Sequence, residues 1–212
     1  MKPSVLFTRT AAAAVAAAVA ALGAGCASQP DRYYTLAAPS SVTAPAAATA
    51  TPPLFVEIAP VAMPERLARP QMVVRKDTPG AEVRILEQHR WASSFEKEMR
   101  DALAAGIASR AGAIDVTKGG RPSSPAVWRV AVQLQGFDAV EDRGVQADFS
   151  WTLRRADRDD SLSCSYSTSE PAAAGIDAIA HGAQQVTRRA SEAIGAQLLA
   201  LQASPRAGCI GG

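Results

Sequence analysis

The chain has 212 residues, 22 basic and 20 acidic side chains, and 48% hydrophobic residues, enough for one compact domain with flexible segments around it. Lys2 and Arg9 lie in an N-terminal segment read below as a removable signal, and without them the charges balance at 20 against 20. That balance removes the electrostatic case for nucleic-acid binding and leaves no basic excess for anionic lipid, so membrane attachment has to rest on something other than charge.

Residues 1–25 have the layout of a bacterial secretory signal: Lys2 and Arg9 in front, an uncharged alanine-rich stretch over 10–22, then Gly23-Ala24-Gly25 before Cys26. The apolar stretch falls short of the roughly 20 residues that span a bilayer. A cysteine directly after small residues reads as a lipobox, so Cys26 is the expected lipidation site and the mature N-terminus. An ordinary secretory signal that happens to contain a cysteine is the alternative. Leu22 stands one place further from the cysteine than the usual lipobox leucine, with Gly23 in that place. Acylation at Cys26 would supply the several buried chains that stable anchoring requires. Residues 26–32 then form a short polar tether. Tyr33-Tyr34-Thr35-Leu36 has strand composition. Residues 38–53 are almost entirely Ala, Pro, Ser and Thr and read as an extended linker.

The folded domain is expected over 33–203, with 204–212 as a C-terminal tail. Residues 54–61 form a strand, 65–70 a turn, and 71–76 and 82–86 two strands flanking Asp77-Thr78-Pro79-Gly80, whose Pro and Gly suit a hairpin. Trp91, Phe95, Met99, Leu103 and Ile107 recur every fourth residue and predict an amphipathic helix ended by Gly112, with His89 at its start. A short strand over 113–116 and a Gly/Pro/Ser loop over 118–125 follow. Three segments then alternate with period two. Trp128, Val130, Val132 and Leu134 mark the first. Val145, Ala147, Phe149, Trp151 and Leu153 mark the second. Leu162, Cys164, Tyr166 and Thr168 mark the third, interleaved with Ser161, Ser163, Ser165 and Ser167. One apolar and one polar face on each indicates an antiparallel meander covered on one side. Ile179, Ala183, Val186, Ala190, Ile194, Leu198 and Leu201 form the stripe of a terminal helix beginning near Gly175. The fold class that results is α+β: a two-layer sandwich of a mostly antiparallel sheet with two helices on one face.

Little in the chain points to catalysis. No nucleophile elbow, phosphate loop, zinc motif or dinucleotide fingerprint occurs, so no catalytic residue, metal or cofactor is expected. His89 and His181 are far apart, and Asp157, Asp159 and Asp160 lack the spacing of a calcium loop. Cys164 and Cys209 are the two cysteines besides Cys26, and in an oxidising compartment they are expected to pair. The pairing sets a geometric requirement: a helix from Gly175 to Leu201 is about 40 Å long and overshoots an eight-residue strand unless the tail turns back. Two free thiols are the alternative.

Two stretches carry a resemblance. One is Cys26-Ala27-Ser28 followed by Tyr33-Tyr34-Thr35-Leu36. The other runs Val56-Glu57-Ile58-Ala59-Pro60-Val61-Ala62-Met63-Pro64, then Leu67-Ala68-Arg69-Pro70-Gln71-Met72-Val73-Val74-Arg75, then His89-Arg90-Trp91, with Phe137 and Trp151 in matching later strands. Together they resemble the PqiC family, the ABC-type transport auxiliary lipoproteins that include YmbA-like proteins. The resemblance covers essentially the mature chain, and its motifs are structural rather than catalytic.

That resemblance implies a non-enzymatic lipoprotein at the periplasmic face of the outer membrane. It would serve an Mce-type intermembrane lipid transport system by docking the periplasmic Mce-domain protein, as a homo-oligomer held by the anchor at Cys26. Ala27, where an aspartate would retain the protein at the inner membrane, fits outer-membrane sorting in that setting. Two other readings remain open from the residues alone: a direct periplasmic lipid carrier, which needs an apolar cavity between helices and sheet, and an envelope assembly or stress lipoprotein unrelated to transport.

Overall fold

The structure is a computed structural model that describes residues 29–37, 53–76, 80–120, 122 and 126–210. Cys26, nearly all of the 38–53 linker and the 77–79 turn lie outside the described residues.

Three long strands carry the period-two pattern. β6 (Trp128–Val140), β7 (Gly144–Arg155) and β8 (Ser161–Pro171) pair antiparallel in succession. Every inward residue of β7 is buried, from Val145 through Ala147, Phe149 and Trp151 to Leu153, while the β8 serines are exposed. β6 runs five residues further than its strict alternation. The ladder slips between Leu134 and Gly136, which reverses parity, so Phe137 and Ala139 face the core as Val130, Val132 and Leu134 do.

The free flank of β6 is shared by two segments. β2 (Leu54–Ile58) pairs parallel with its beginning, Val56 opposite Trp128, and Ala62 bridges to Gln133. After a short 3-10 turn (Glu65–Leu67), β3 (Gln71–Arg75) meets the far end of β6, Arg75 opposite Val140. β4 (Val83–Trp91) pairs antiparallel with β3, β1 (Arg32–Tyr34) parallel with the end of β4, and β5 (Ala113–Asp115) parallel with β2. The result is an open, mixed sheet of eight strands dominated by its long antiparallel ladders.

Two helices cover the apolar face of this sheet. α1 (Phe95–Ala111) starts at Ser94, whose side chain accepts from the Lys97 N–H, and ends at Gly112 in the left-handed conformation. The fourfold repeat therefore overstates the helix by one turn. Trp91 is the last residue of β4: its N–H donates to the Pro70 carbonyl, and the next N–H, of Ala92, donates to that of Tyr34. His89 is likewise a strand residue. Trp91 still enters the core, with its ring 5.1 Å from Phe95, which meets Phe137 edge-on at 5.0 Å. α2 (Ile176–Ala203) buries its whole predicted stripe. The helices approach closely enough that a Cβ on Gly106 would lie 2.6 Å from Cβ of Ser191, which is why that α1 position has no side chain.

Packing between the layers is tight. The gap bounded by Leu67, Met72, Trp91, Phe95, Phe137 and Ile179 has a volume of about 10 Å³, on the order of one water. No helix among the described residues is long and apolar enough to cross a membrane.

Candidate functional site

Residues 32–36 are fixed to the rest of the domain by side chains from both helices and by pairing with β4. β1 lies against the end of β4 in register, Arg32 opposite His89, Tyr33 opposite Arg90 and Tyr34 opposite Trp91. Three residues of sheet pairing would hold weakly alone, and both helices add to it. Glu98 on α1 accepts the Thr35 hydroxyl at 2.8 Å and the Leu36 N–H at 3.1 Å with one carboxylate oxygen, and the Ser93 hydroxyl at 3.0 Å with the other. Gln184 on α2 donates to the Thr35 carbonyl at 2.8 Å. Leu36 is 2% exposed and seats the segment in the core.

Tyr34 closes the joint from the other side. Its hydroxyl donates to Asp177 Oδ1 at 2.7 Å and lies 2.9 Å from His89 Nδ1, with the two rings stacked. One phenol proton serves one bond, so the Asp177 bond assigns Nδ1–H of His89 as the donor to Tyr34. The order is His89 to Tyr34 to Asp177. The other Asp177 oxygen takes Arg32 at 2.9 Å, an exposed pair of small energetic weight. Asp177 also sits in the first turn of α2, where the helix dipole favours a negative charge.

Burial first, and then the bond to Asp177, push the Tyr34 phenol up to about 12. The hydrogen bond from Tyr34 is the largest influence holding Asp177 below the usual carboxylate range, with Arg32 and His89 acting the same way. The phenol is thus kept protonated, the opposite of what an activated nucleophile requires. What the cluster does is hold.

The signs follow from linkage. A raised phenol pKa stabilises the fold fully below pH 10, the ordinary tyrosine value, and this is lost as pH climbs toward 12. A depressed carboxylate stabilises above its ordinary value near 3.8, and this is lost on acidification below it. Tyr34→Phe is expected to destabilise the fold at pH 7, because it removes the hydrogen bond to Asp177. In urea unfolding at stepped pH, the gap between wild type and variant should close from pH 10 to 12. A gap unchanged over that range would show that Tyr34 is not held through its proton.

The two cysteines meet at the other end of α2. Cys164 lies on the inner face of β8, and the structure joins it to Cys209 by a disulfide with the Cα atoms 5.7 Å apart. The overshoot is resolved by Gln197. Residues 204–210 turn back along the last turns of α2, and the fully buried Gln197 amide donates to the Gly208 carbonyl at 2.9 Å and accepts the Ile210 N–H at 2.8 Å, on either side of Cys209. Its signal in the sequence was a glutamine three residues after Ile194 and four before Leu201, inside the apolar stripe. Between Pro64 and Pro70, Leu67 is 4% exposed and the Pro70 carbonyl takes Trp91, so the Leu-x-Arg-Pro-Gln motif locks β3 to β4. Among the described residues no group of three or more His, Cys, Asp or Glu side chains is placed to hold a metal ion.

The domain is a two-layer sheet-and-helix sandwich whose N-terminal strand is clamped by both helices. The family described as the ABC-type transport auxiliary lipoprotein component matches residues 34–195, and the chain belongs to it. One solved structure, of an uncharacterised protein, is 18% identical and superposes with a TM-score of 0.62 over 80% of this chain and 99% of its own. Another, a DUF330 protein from Xanthomonas campestris, is 12% identical with a TM-score of 0.57 over 86% and 94%. At such identities the likeness is one of fold. No curated protein matches the chain.

Proposed function

We propose that this chain is the outer-membrane lipoprotein subunit of an Mce-type intermembrane lipid transport system, non-enzymatic, docking the periplasmic Mce-domain assembly as a homo-oligomer. The observation that carries the reading is the joint around Tyr34 and Leu36. Both helices and β4 hold the segment that begins six residues after Cys26, a tether of at most about 20 Å. A load-carrying attachment explains that investment, and the family's transport role supplies its purpose. The exposed, uncharged serine face of β8 is the surface offered to partners. A carrier that holds lipid in the middle of the sandwich is disfavoured by the gap there, about 10 Å³, since small-molecule pockets run to about 300–1,000 Å³.

The test is a pull-down from detergent-solubilised envelope. Recovery of an Mce-domain protein is expected, and its consistent absence would overturn the docking role. The anchor is tested separately. Cys26→Ala should leave the domain folded, with unchanged circular dichroism, and move it from the membrane to the soluble fraction. Wild-type protein whose intact mass shows no acyl addition would refute the lipidation.

A further inference from the structure

The tail that carries Cys209 roofs a second cavity, of about 250 Å³, at the end of the sheet where β6 begins, β7 ends and β8 starts. Its floor is apolar: Leu153 and Leu201 are buried, and Trp128 and Leu162 are half-buried against them. Its rim is cationic, formed by Arg155, Arg158 and Arg206 with Asp160. Arg155 is neutralised by Asp157, with Nε 2.8 Å from Oδ1. Arg158 and Arg206 have no carboxylate partner among the described residues, although the mature chain has as many acids as bases. Two unpaired guanidiniums beside an apolar floor fit a ligand with the complementary halves.

We propose that this pocket binds an anionic amphiphile, its acidic headgroup between Arg158 and Arg206 and its alkyl chain against Trp128, Leu162 and Leu201. The volume is just below the usual 300–1,000 Å³ of small-molecule sites, so it takes one short chain and a headgroup rather than a whole diacyl lipid. The roof, residues 205–208, is stapled at its far end by the bridge to Cys164 and by Gln197. The pocket is therefore preformed, and its edge depends on the tail staying docked. It lies about 36 Å along α2 from Asp177 and the anchor joint, counting 1.5 Å per residue. It is separate from the docking role, and the pull-down result does not bear on it.

The experiment uses the full mature chain with Cys26→Ser, so that no detergent competes, titrated with dodecyl phosphate below its micelle concentration. Calorimetry and tryptophan fluorescence are the readouts; Trp91 and Trp151 are buried, so a change reports Trp128. One-site binding with a fluorescence change is expected, weakened at least about tenfold in the R158A/R206A double variant and largely restored in R158K/R206K. Both arginines are exposed and unpaired, so the double variant should keep the wild-type circular dichroism. Inorganic phosphate and dodecyl maltoside separate the two halves of the ligand, and each should bind at least about tenfold more weakly than dodecyl phosphate. Equal affinity for inorganic phosphate would make the pocket a simple anion site and overturn the proposal. Equal affinity for the maltoside, or a double variant that binds like wild type, would overturn it as well.

Discussion

Trp151→Ala is expected to destabilise the domain by about 3–5 kcal/mol, whereas Ser150→Ala, one residue away, should change stability by less than about 0.5 kcal/mol. The contrast follows from the strand period. Trp151 is 2% exposed in the middle of β7, paired with Val132 on β6 and Cys164 on β8, its ring 6.3 Å from that of Tyr166. Nothing at the site can collapse cheaply, because the strands on both sides are fixed by continuous ladders. The indole Nε1 is buried without a hydrogen-bond partner, so the residue contributes apolar area and dispersion while carrying a polar penalty. Trp151→Phe removes that N–H with the ring area largely kept, and should recover most of the loss. Urea unfolding of the three variants decides the matter. Small and equal effects from Trp151→Ala and Ser150→Ala would mean that the buried and solvent faces of β7 are exchanged.

What the sequence shows of this molecule is what its periods show. β6, β7 and β8 announce their faces because apolar and polar residues alternate on a half-covered sheet. α2 announces its stripe because it lies on that sheet along its whole length. The same logic misleads at Trp91. An indole four residues before Phe95 continues the helical spacing, yet its backbone N–H is committed to Pro70, and Ser94 caps the helix after it. The parallel neighbours are silent for another reason. β1 beside β4, and β2 and β3 end to end along one flank of β6, are pairings between segments far apart in sequence, and a period carries no record of its partner. The joint around Tyr34 is silent in the same way: Tyr34 and Asp177 are 143 residues apart, and each reads locally as an ordinary polar residue. Gln197, Thr187 and Ser191 were readable in principle as polar residues within an apolar stripe. Thr187 and Ser191 satisfy themselves on carbonyls of their own helix, and Gln197 reaches the tail.

Reducing the Cys164–Cys209 bridge is expected to cost about 4 kcal/mol on a chain-entropy estimate for the sequence separation of 45 residues. The cross-link ties β8 to the end of the chain and encloses all of α2, so the reduced unfolded chain regains the freedom of that whole loop. The native side of the balance is less simple, because Gln197 still holds Gly208 and Ile210 when the sulfurs part. The two devices share one short tail and should therefore be coupled. In Cys209→Ser only the Gln197 amide holds the tail, the tail spends part of its time undocked, and Gln197→Ala then costs less than it does with the bridge intact. The measurement is a double-mutant cycle on urea unfolding free energies, with thiol counting under denaturing, non-reducing conditions on protein recovered from the periplasm. Additive costs would show that bridge and amide act on separate parts of the structure. Two titratable thiols per chain would mean that the bridge does not form in the cell, leaving Gln197 as what docks the tail.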